Sequence, residues 1–194
     1  MERHIASSWQ SAFLKKVQRP ESAQLLKDAA LSGRLADWTG LLTRVVVMSF
    51  REMGWQASAR GNKLALLPIA RSEYLSLDVV AFPDAEKRWR FPIAVAELEN
   101  SLDDDQVAYS LWKLMCVQAD LRILICYRAD ASKGSDLIQS LRDEVVHSME
   151  LSKRIQLAGD IIVVVGQKGD AGTFPFGYFK WWVLELNTST FRLM

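Results

Sequence analysis

The order of apolar and polar residues predicts helices in the first part of the chain and strands after them. Residues 8–17, 21–31 and 37–54 repeat apolar side chains every three to four positions, which is the period of a helix with one buried face. Pro20 separates the first two of these segments. We therefore expect a helical lead-in over residues 1–35, followed by a longer helix that belongs to the core.

Short apolar runs bounded by turn residues predict strands in the rest of the chain. Segments 74–82 and 91–100 are separated by the polar residues 83–88, so we expect two antiparallel neighbours. Segment 55–67 contains a Gly-Asn pair in its middle, which favours a short hairpin or a bent strand. The remaining predicted strands are residues 121–127 and 161–165.

A helix predicted over residues 101–119 connects the strand before it to the strand after it. Such a helix is the usual crossover of a parallel pair, so we expect strands 91–100 and 121–127 to run parallel. A further helix is predicted near residues 135–151. The expected fold class is therefore α/β, with a mixed central sheet flanked by helices.

The length of 194 residues, of which 49% are hydrophobic, suits one domain with a sizeable core. We expect a single domain over residues 1–194, in which a core of residues 36–166 follows the lead-in and precedes an aromatic strand region of residues 167–194. The aromatic side chains of that last region can fill a core, form a homodimer seam or stack on bases. They are Phe174, Phe176, Tyr178, Phe179, Trp181 and Trp182.

Charge and composition limit the function classes. The formal net charge is +1, so a phosphate-binding surface would have to be local. No segment has the pattern of a targeting sequence, and the longest apolar run, residues 161–165, is too short to cross a bilayer. We expect a cytoplasmic protein with no membrane partner. Cys116 and Cys126 lie in apolar stretches without metal-ligand spacing, so we expect two buried free thiols.

Acidic residues occur on segments that otherwise have the pattern of buried strands. Side chains alternate along a strand, so Glu97 and Glu99 point to the same face. Asp78 interrupts the apolar run of the preceding strand. Like charges repel, and apolar surroundings strengthen that repulsion, so a divalent cation, a basic side chain or exposure at the strand end should offset it. Glu52 lies near the core-facing stripe of the helix over residues 37–54, unless the last turn of that helix leaves it in water.

Basic and polar residues near these acids are candidates for substrate contacts. Arg88 and Arg90 lie in or beside the turn between the two strands, where they can meet a phosphate backbone or keep the hairpin soluble. The helix over residues 101–119 carries a polar stripe that includes Gln106, Tyr109 and Lys113. Solvent exposure explains this stripe as well as a site does.

The order helix, bent strand, two acid-bearing strands, helix and strand resembles the core of the PD-(D/E)XK nuclease superfamily. The resemblance covers roughly residues 37–127 and extends to about residue 165 if the last helix and strand are counted. It departs from the motif twice, because Leu77 stands at the position of the motif proline and Glu99 at that of the motif lysine. Some restriction endonucleases of the superfamily are similar in having glutamate there, and other members carry the lysine on the following helix.

The resemblance implies a restriction-endonuclease-like core and a set of site residues. Asp78, Glu97 and Glu52 would be ligands of Mg2+, or of Mn2+ in its place. Glu97, Glu99 and Lys113 would carry catalysis, with Lys113 in the role of the displaced motif lysine. Arg88, Arg90, Gln106 and Tyr109 would contact nucleic acid.

The function implied by this resemblance is metal-dependent hydrolysis of phosphodiester bonds in DNA or RNA, with DNA favoured. The alternative is a catalytically inactive member of the same fold that binds nucleic acid or protein, which the glutamate at position 99 and the neutral net charge favour. A third hypothesis is that the chain is a small interaction protein that dimerises through its aromatic region.

Overall fold

The computed structural model describes residues 5–84 and 88–194. Its helices are α1 (Ile5–Val17), α2 (Pro20–Leu31), α3 (Leu35–Glu52), α4 (Asp104–Met115), α5 (Ala131–Leu141) and α6 (Leu151–Arg154). Its strands are β1 (Trp55–Ala59), β2 (Val79–Pro83), β3 (Ala94–Leu98), β4 (Leu121–Arg128), β5 (Asp160–Gln167), β6 (Phe179–Glu185) and β7 (Thr190–Leu193).

The described strands form one seven-stranded mixed sheet, and their order in the sheet follows their order in the chain. Strands β1, β2 and β3 are antiparallel neighbours, β3, β4 and β5 are parallel, and β6 and β7 add antiparallel strands. The α/β class, the antiparallel β2–β3 pair and the parallel β3–β4 pair connected through α4 are therefore confirmed. The middle of the turn predicted between β2 and β3, residues 85–87, lies outside the described residues.

Helices cover both faces of the sheet, because side chains of each strand alternate between two apolar clusters. Ala94, Ala96 and Leu98 of β3 pack in the cluster that includes α1, α2 and α3. Val95 packs in the other cluster, with α4 and α5. We call the first side the α3 face and the second the α4 face.

The aromatic residues of the C-terminal region belong mostly to the α3 face. Trp181 packs edge-on against Trp9 and Phe13 of α1, with ring centroids 5.7 Å and 5.3 Å apart. Phe174, Tyr178 and Phe179 are buried in the same cluster. These rings fill the core of the chain itself. Trp182 packs against the α4 face, and Phe176 is exposed.

Some local predictions differ from the structure. Residues 63–67, expected as part of a hairpin or bent strand, form only an isolated bridge at Leu64, since their chain path leaves the sheet. The helix expected near residues 135–151 ends earlier as α5, continues in a π-helical turn (Arg142–Val146) and is followed by α6. Cys126 is buried as expected, whereas Cys116 is exposed because it follows the last turn of α4.

No helix within residues 5–84 and 88–194 is long and apolar enough to cross a membrane.

Candidate active site on the α4 face

Asp78 and Glu97 lie together where β2 begins and β3 ends. The antiparallel register pairs Val79 with Ala96, so the residue before Val79 lies beside the residue after Ala96. Each carboxylate accepts a backbone N–H from the other strand: Asp78 Oδ2 from Leu98 N at 2.7 Å, and Glu97 Oε1 from Asp78 N at 3.3 Å. The strand register thus holds two carboxylates side by side, and we call them the Asp78–Glu97 pair.

Lys113 reaches this pair from α4. Asp103 caps the helix by accepting a hydrogen bond from Asp105 N, and Leu111 and Leu114 bury its apolar side against the sheet. The polar stripe is then directed towards the ends of β2 and β3. Lys113 Nζ lies 2.9 Å from Glu97 Oε2 and donates to the carbonyl of Ser76 at 3.1 Å. The expected approach of Lys113 to the acids is confirmed.

Burial controls the charge of the pair. Glu97 is only 7% exposed, and burial is the main cause that raises its pKa to about 7, while the hydrogen bond from Lys113 opposes the rise and the charge of Asp78 adds to it. Burial also raises the pKa of Asp78, against the hydrogen bond from Leu98 N and the charge of Lys113. One lysine therefore compensates two carboxylates only in part, and the site has capacity for a further cation or a proton.

Glu99 points to the same face as Glu97, but its oxygens serve the local chain. Oε1 accepts a hydrogen bond from Ser101 N at 2.7 Å, and Oε2 accepts one from the Ser110 hydroxyl at 3.2 Å. Its charge still raises the pKa of Asp78, which shows that it belongs to the same electrostatic environment. Glu99 holds the segment that leads from β3 into α4.

The structure does not bring Glu52 to the Asp78–Glu97 pair. Helix α3 covers the opposite face of the sheet, and its last residue leads to Trp55, which pairs with Pro83 at the far end of β2. Glu52 binds Lys15 and Lys16 of α1 at 2.5 Å each. Hydrogen bonds from these two lysines lower the pKa of Glu52 to about 2.

The residues expected to contact nucleic acid divide into two groups. Arg88 and Arg90 lie at the Pro83 end of the β2–β3 pair, and the five residues of β2 separate them from Asp78 by roughly 17 Å. Arg88 is exposed, and Arg90 Nη1 lies 3.5 Å from Gln56 Oε1. Gln106 and Tyr109 are exposed on α4, and Lys113 Nζ lies 6.0 Å from the centroid of the Tyr109 ring. Only the α4 residues are therefore on the side of the candidate site.

Two features beside the site were not predicted from the sequence. Trp112 is 52% exposed and stacks on Tyr109, with centroids 5.9 Å apart and planes 21° apart. The sequence does indicate this stack, because Trp112 follows Tyr109 by three residues and residues three apart on a helix are neighbours. Leu75 and Ser76 both have positive φ angles, 58° and 55°, which are uncommon for residues other than glycine. This backbone directs the Ser76 carbonyl to Lys113, and no sequence pattern indicates it.

The site offers two carboxylates, which are fewer ligands than a closed metal cage needs. Among residues 5–84 and 88–194, no group of three or more His, Cys, Asp or Glu side chains is arranged to hold a metal ion. Mg2+ is commonly bound through one or two carboxylates, with water and substrate phosphates as the other ligands. The Asp78–Glu97 pair provides two such carboxylates, and Asp78 Oδ1 has no hydrogen-bond partner within the described part of the chain.

Comparisons with protein-family models, with curated proteins and with solved structures found no match to this chain.

Proposed function

We propose that this chain is a cytoplasmic, metal-dependent phosphodiester hydrolase that acts on DNA or RNA, with DNA favoured. The observation that carries the proposal is the convergence of two buried carboxylates from adjacent strands with a lysine from the following helix. Clusters of buried, mutually perturbed ionisable groups are typical of functional sites. We further infer that residues 36–166 form a restriction-endonuclease-like core, since the order α3, β1, β2, β3, α4, β4 and the strand directions agree with one.

In this proposal Asp78 and Glu97 would hold Mg2+ or Mn2+ through their carboxylate oxygens. When bound, the cation would supply Lewis acidity towards a phosphodiester oxygen and an attacking water molecule. Lys113 places its ammonium group beside Glu97, where it stabilises the negative charge that develops on the phosphate oxygens. Glu99 is the neighbouring carboxylate that can accept the proton of the attacking water. Attack by the water oxygen on phosphorus forms a new P–O bond while a proton of that water passes to Glu99; the bond to the leaving sugar oxygen breaks, and this oxygen takes a proton from solvent water.

The test combines a cleavage assay with thermal melting. Wild type, Asp78→Asn, Glu97→Gln and Lys113→Gln are incubated with plasmid DNA, single-stranded DNA and RNA, in Mg2+, Mn2+ or EDTA. The control variant is Lys63→Gln, since Lys63 is an exposed lysine outside the site. At a hundredfold excess of metal over Kd, we expect the metal to stabilise wild type by about 2.7 kcal/mol.

The variants separate metal binding from catalysis. Asp78→Asn and Glu97→Gln should lose both the metal-induced rise in Tm and cleavage. Lys113→Gln should keep the rise in Tm and lose cleavage by about 100- to 1,000-fold. A metal-induced rise without cleavage in wild type would support the inactive, binding-only alternative. A wild type that neither responds to either ion nor cleaves any substrate would refute the proposal.

A further inference from the structure

Two aromatic rings lie exposed on α4 beside the Asp78–Glu97 pair. Tyr109 is 56% exposed and Trp112 is 52% exposed, so a ligand can reach both rings. Their planes are 21° apart and their centroids 5.9 Å apart, and we call the two rings the Tyr109–Trp112 platform. Exposed apolar surface of this size next to a candidate site is typical of a binding surface.

The platform adjoins the lysine of the candidate site. Successive residues of a helix are turned by about 100°, so Tyr109 lies between Lys113 and Trp112 around α4. Lys113 Nζ lies 6.0 Å from the centroid of the Tyr109 ring and 2.9 Å from Glu97 Oε2. The order outward from the carboxylates is therefore Lys113, Tyr109 and Trp112.

The charges around the platform favour phosphate groups on two of its sides. Beyond the second ring the surface continues into a groove of about 240 Å³, which the exposed residue Lys153 lines. Lys153 lies 4.0 Å from Glu150, and the two side chains are 71% and 73% exposed, so this ion pair is weak. Asp105 is exposed one turn before the platform and repels phosphate there. A polyanion is therefore expected to cross α4 from Lys113 towards Lys153.

We propose that the Tyr109–Trp112 platform binds unpaired bases, so that the substrate of the candidate site is single-stranded nucleic acid. The inference rests on the proposed function, because hydrolysis of phosphodiester bonds makes nucleic acid the ligand at this surface. In a duplex the faces of the bases are covered by neighbouring base pairs, whereas the bases of a single strand can stack on aromatic side chains. A base stacked on Tyr109 brings its phosphate to Lys113, beside the carboxylates.

The experiment measures binding of the whole protein to labelled oligonucleotides by fluorescence anisotropy, in EDTA so that no strand is cut. The probes are an oligothymidylate of about 15 nucleotides, a duplex of the same length, and an abasic strand of the same length, which keeps the phosphates and lacks the bases. We expect wild type to bind the oligothymidylate with a Kd at or below about 100 μM, and to bind the duplex and the abasic strand about tenfold or more weakly.

Variants test the rings and the lysine separately. Trp112→Ala should weaken binding of the oligothymidylate about fivefold or more and leave binding of the abasic strand unchanged, because only stacking is lost. Trp112→Phe keeps a ring and should retain most of the affinity. Lys113→Gln should weaken binding of all three probes. Trp89→Ala is the matched control and should weaken none, since Trp89 is 60% exposed and lies at the Pro83 end of β2.

Three results would overturn the inference. They are a duplex bound as tightly as the single strand, a Trp112→Ala variant that binds the oligothymidylate like wild type, and absence of saturable binding up to about 1 mM. A wild-type dimer that Trp112→Ala dissociates, measured by light scattering, would place a second copy of the chain on the rings and would also overturn it.

Cleavage assays separate this inference from the proposed function. Cleavage of duplex and single strands at equal rates, unchanged in Trp112→Ala, would support the hydrolase and overturn the role of the platform. Binding of the single strand that depends on Trp112, without cleavage in Mg2+ or Mn2+, would support the platform and contradict the proposed hydrolysis.

Discussion

At the residue scale, the carboxyl of Glu97 is the group whose charge state most affects the candidate site. Burial raises its pKa to about 7 from a usual value near 4.5, so the fold favours the protonated form. Lys113, Glu73 and Glu99 are other charged groups that act on the Asp78–Glu97 pair. The site therefore changes its charge close to neutral pH.

This pKa predicts how stability depends on pH. Between about pH 4.5 and about pH 7 the folded state holds a proton that the unfolded state has lost, so the contribution of Glu97 to stability falls as pH rises through that window. We expect the free energy of unfolding of wild type, relative to Glu97→Gln, to fall by an amount on the order of 2 kcal/mol. The measurement is urea unfolding of both proteins in EDTA from about pH 5 to about pH 8. A difference that instead grows with pH would mean that the ion pair with Lys113 outweighs burial.

The Asp78–Glu97 pair could be predicted from the sequence because the patterns that indicate it are local. Alternation along one strand put Glu97 and Glu99 on one face, and the acid in the neighbouring apolar segment identified Asp78. Predicting the position of Lys113 required a second pattern, the polar stripe of α4. Leu75 and Ser76 gave no signal, since a positive φ in residues other than glycine is imposed by the surrounding structure.

At the scale of elements, Glu52 joins two helices. It lies at the end of α3 and binds Lys15 and Lys16 of α1, and the side chain of Lys16 is nearly buried. The helical period predicts Glu52 near the buried side of α3, whereas the structure leaves the residue exposed, in agreement with the alternative interpretation. The period cannot tell which neighbour that side meets, and the partner here is another helix.

This arrangement predicts a structural role for Glu52. Glu52→Gln should lower Tm, because it leaves the buried ammonium of Lys16 without its carboxylate. Lys15→Gln is the milder control, since Lys15 is mostly exposed. The metal-induced change in Tm and any cleavage should be the same in Glu52→Gln as in wild type. Loss of the metal response in Glu52→Gln would return Glu52 to the set of metal ligands.

A cavity of about 250 Å³ on the α3 face, between α2, α3 and the sheet, could not be predicted from the sequence for a related reason. Its walls come from α2, α3, the ends of three strands and Tyr178. These segments are brought together only by the tertiary fold. No period or short motif relates Asn100 to Lys168.

At the scale of the whole molecule, the N-terminal helices are part of the core. Trp9 is fully buried on the α3 face and contacts the rings of Phe13, Phe50 and Trp181. The backbone N–H of Ala6 donates to Asp160 Oδ2 at 2.9 Å, which ties α1 to the start of β5. The lead-in expected from the sequence thus covers the sheet.

Trp9→Ala should therefore destabilise the whole protein. Replacing a fully buried tryptophan removes apolar contacts and leaves a cavity, so we expect the free energy of unfolding to fall by about 3–5 kcal/mol. Trp89→Ala is the matched control: Trp89 is 60% exposed, and its loss should change stability by less than about 0.5 kcal/mol. Urea unfolding followed by circular dichroism measures both. Equal effects of the two substitutions would contradict the packing of α1 on the sheet.

The chain-ordered sheet has a consequence for folding during synthesis. Each strand pairs with the strand made just before it, so the sheet can grow as the chain leaves the ribosome. Helix α1 precedes every strand, yet its partner Asp160 is 154 residues away from Ala6. At about 5–20 residues per second, that separation corresponds to roughly eight to thirty seconds. During this interval α1 can already pack on α3, where Trp9 meets Phe50, but Trp9 and Phe13 lack the β6 ring of Trp181, and this apolar surface is one that a chaperone would have to shield.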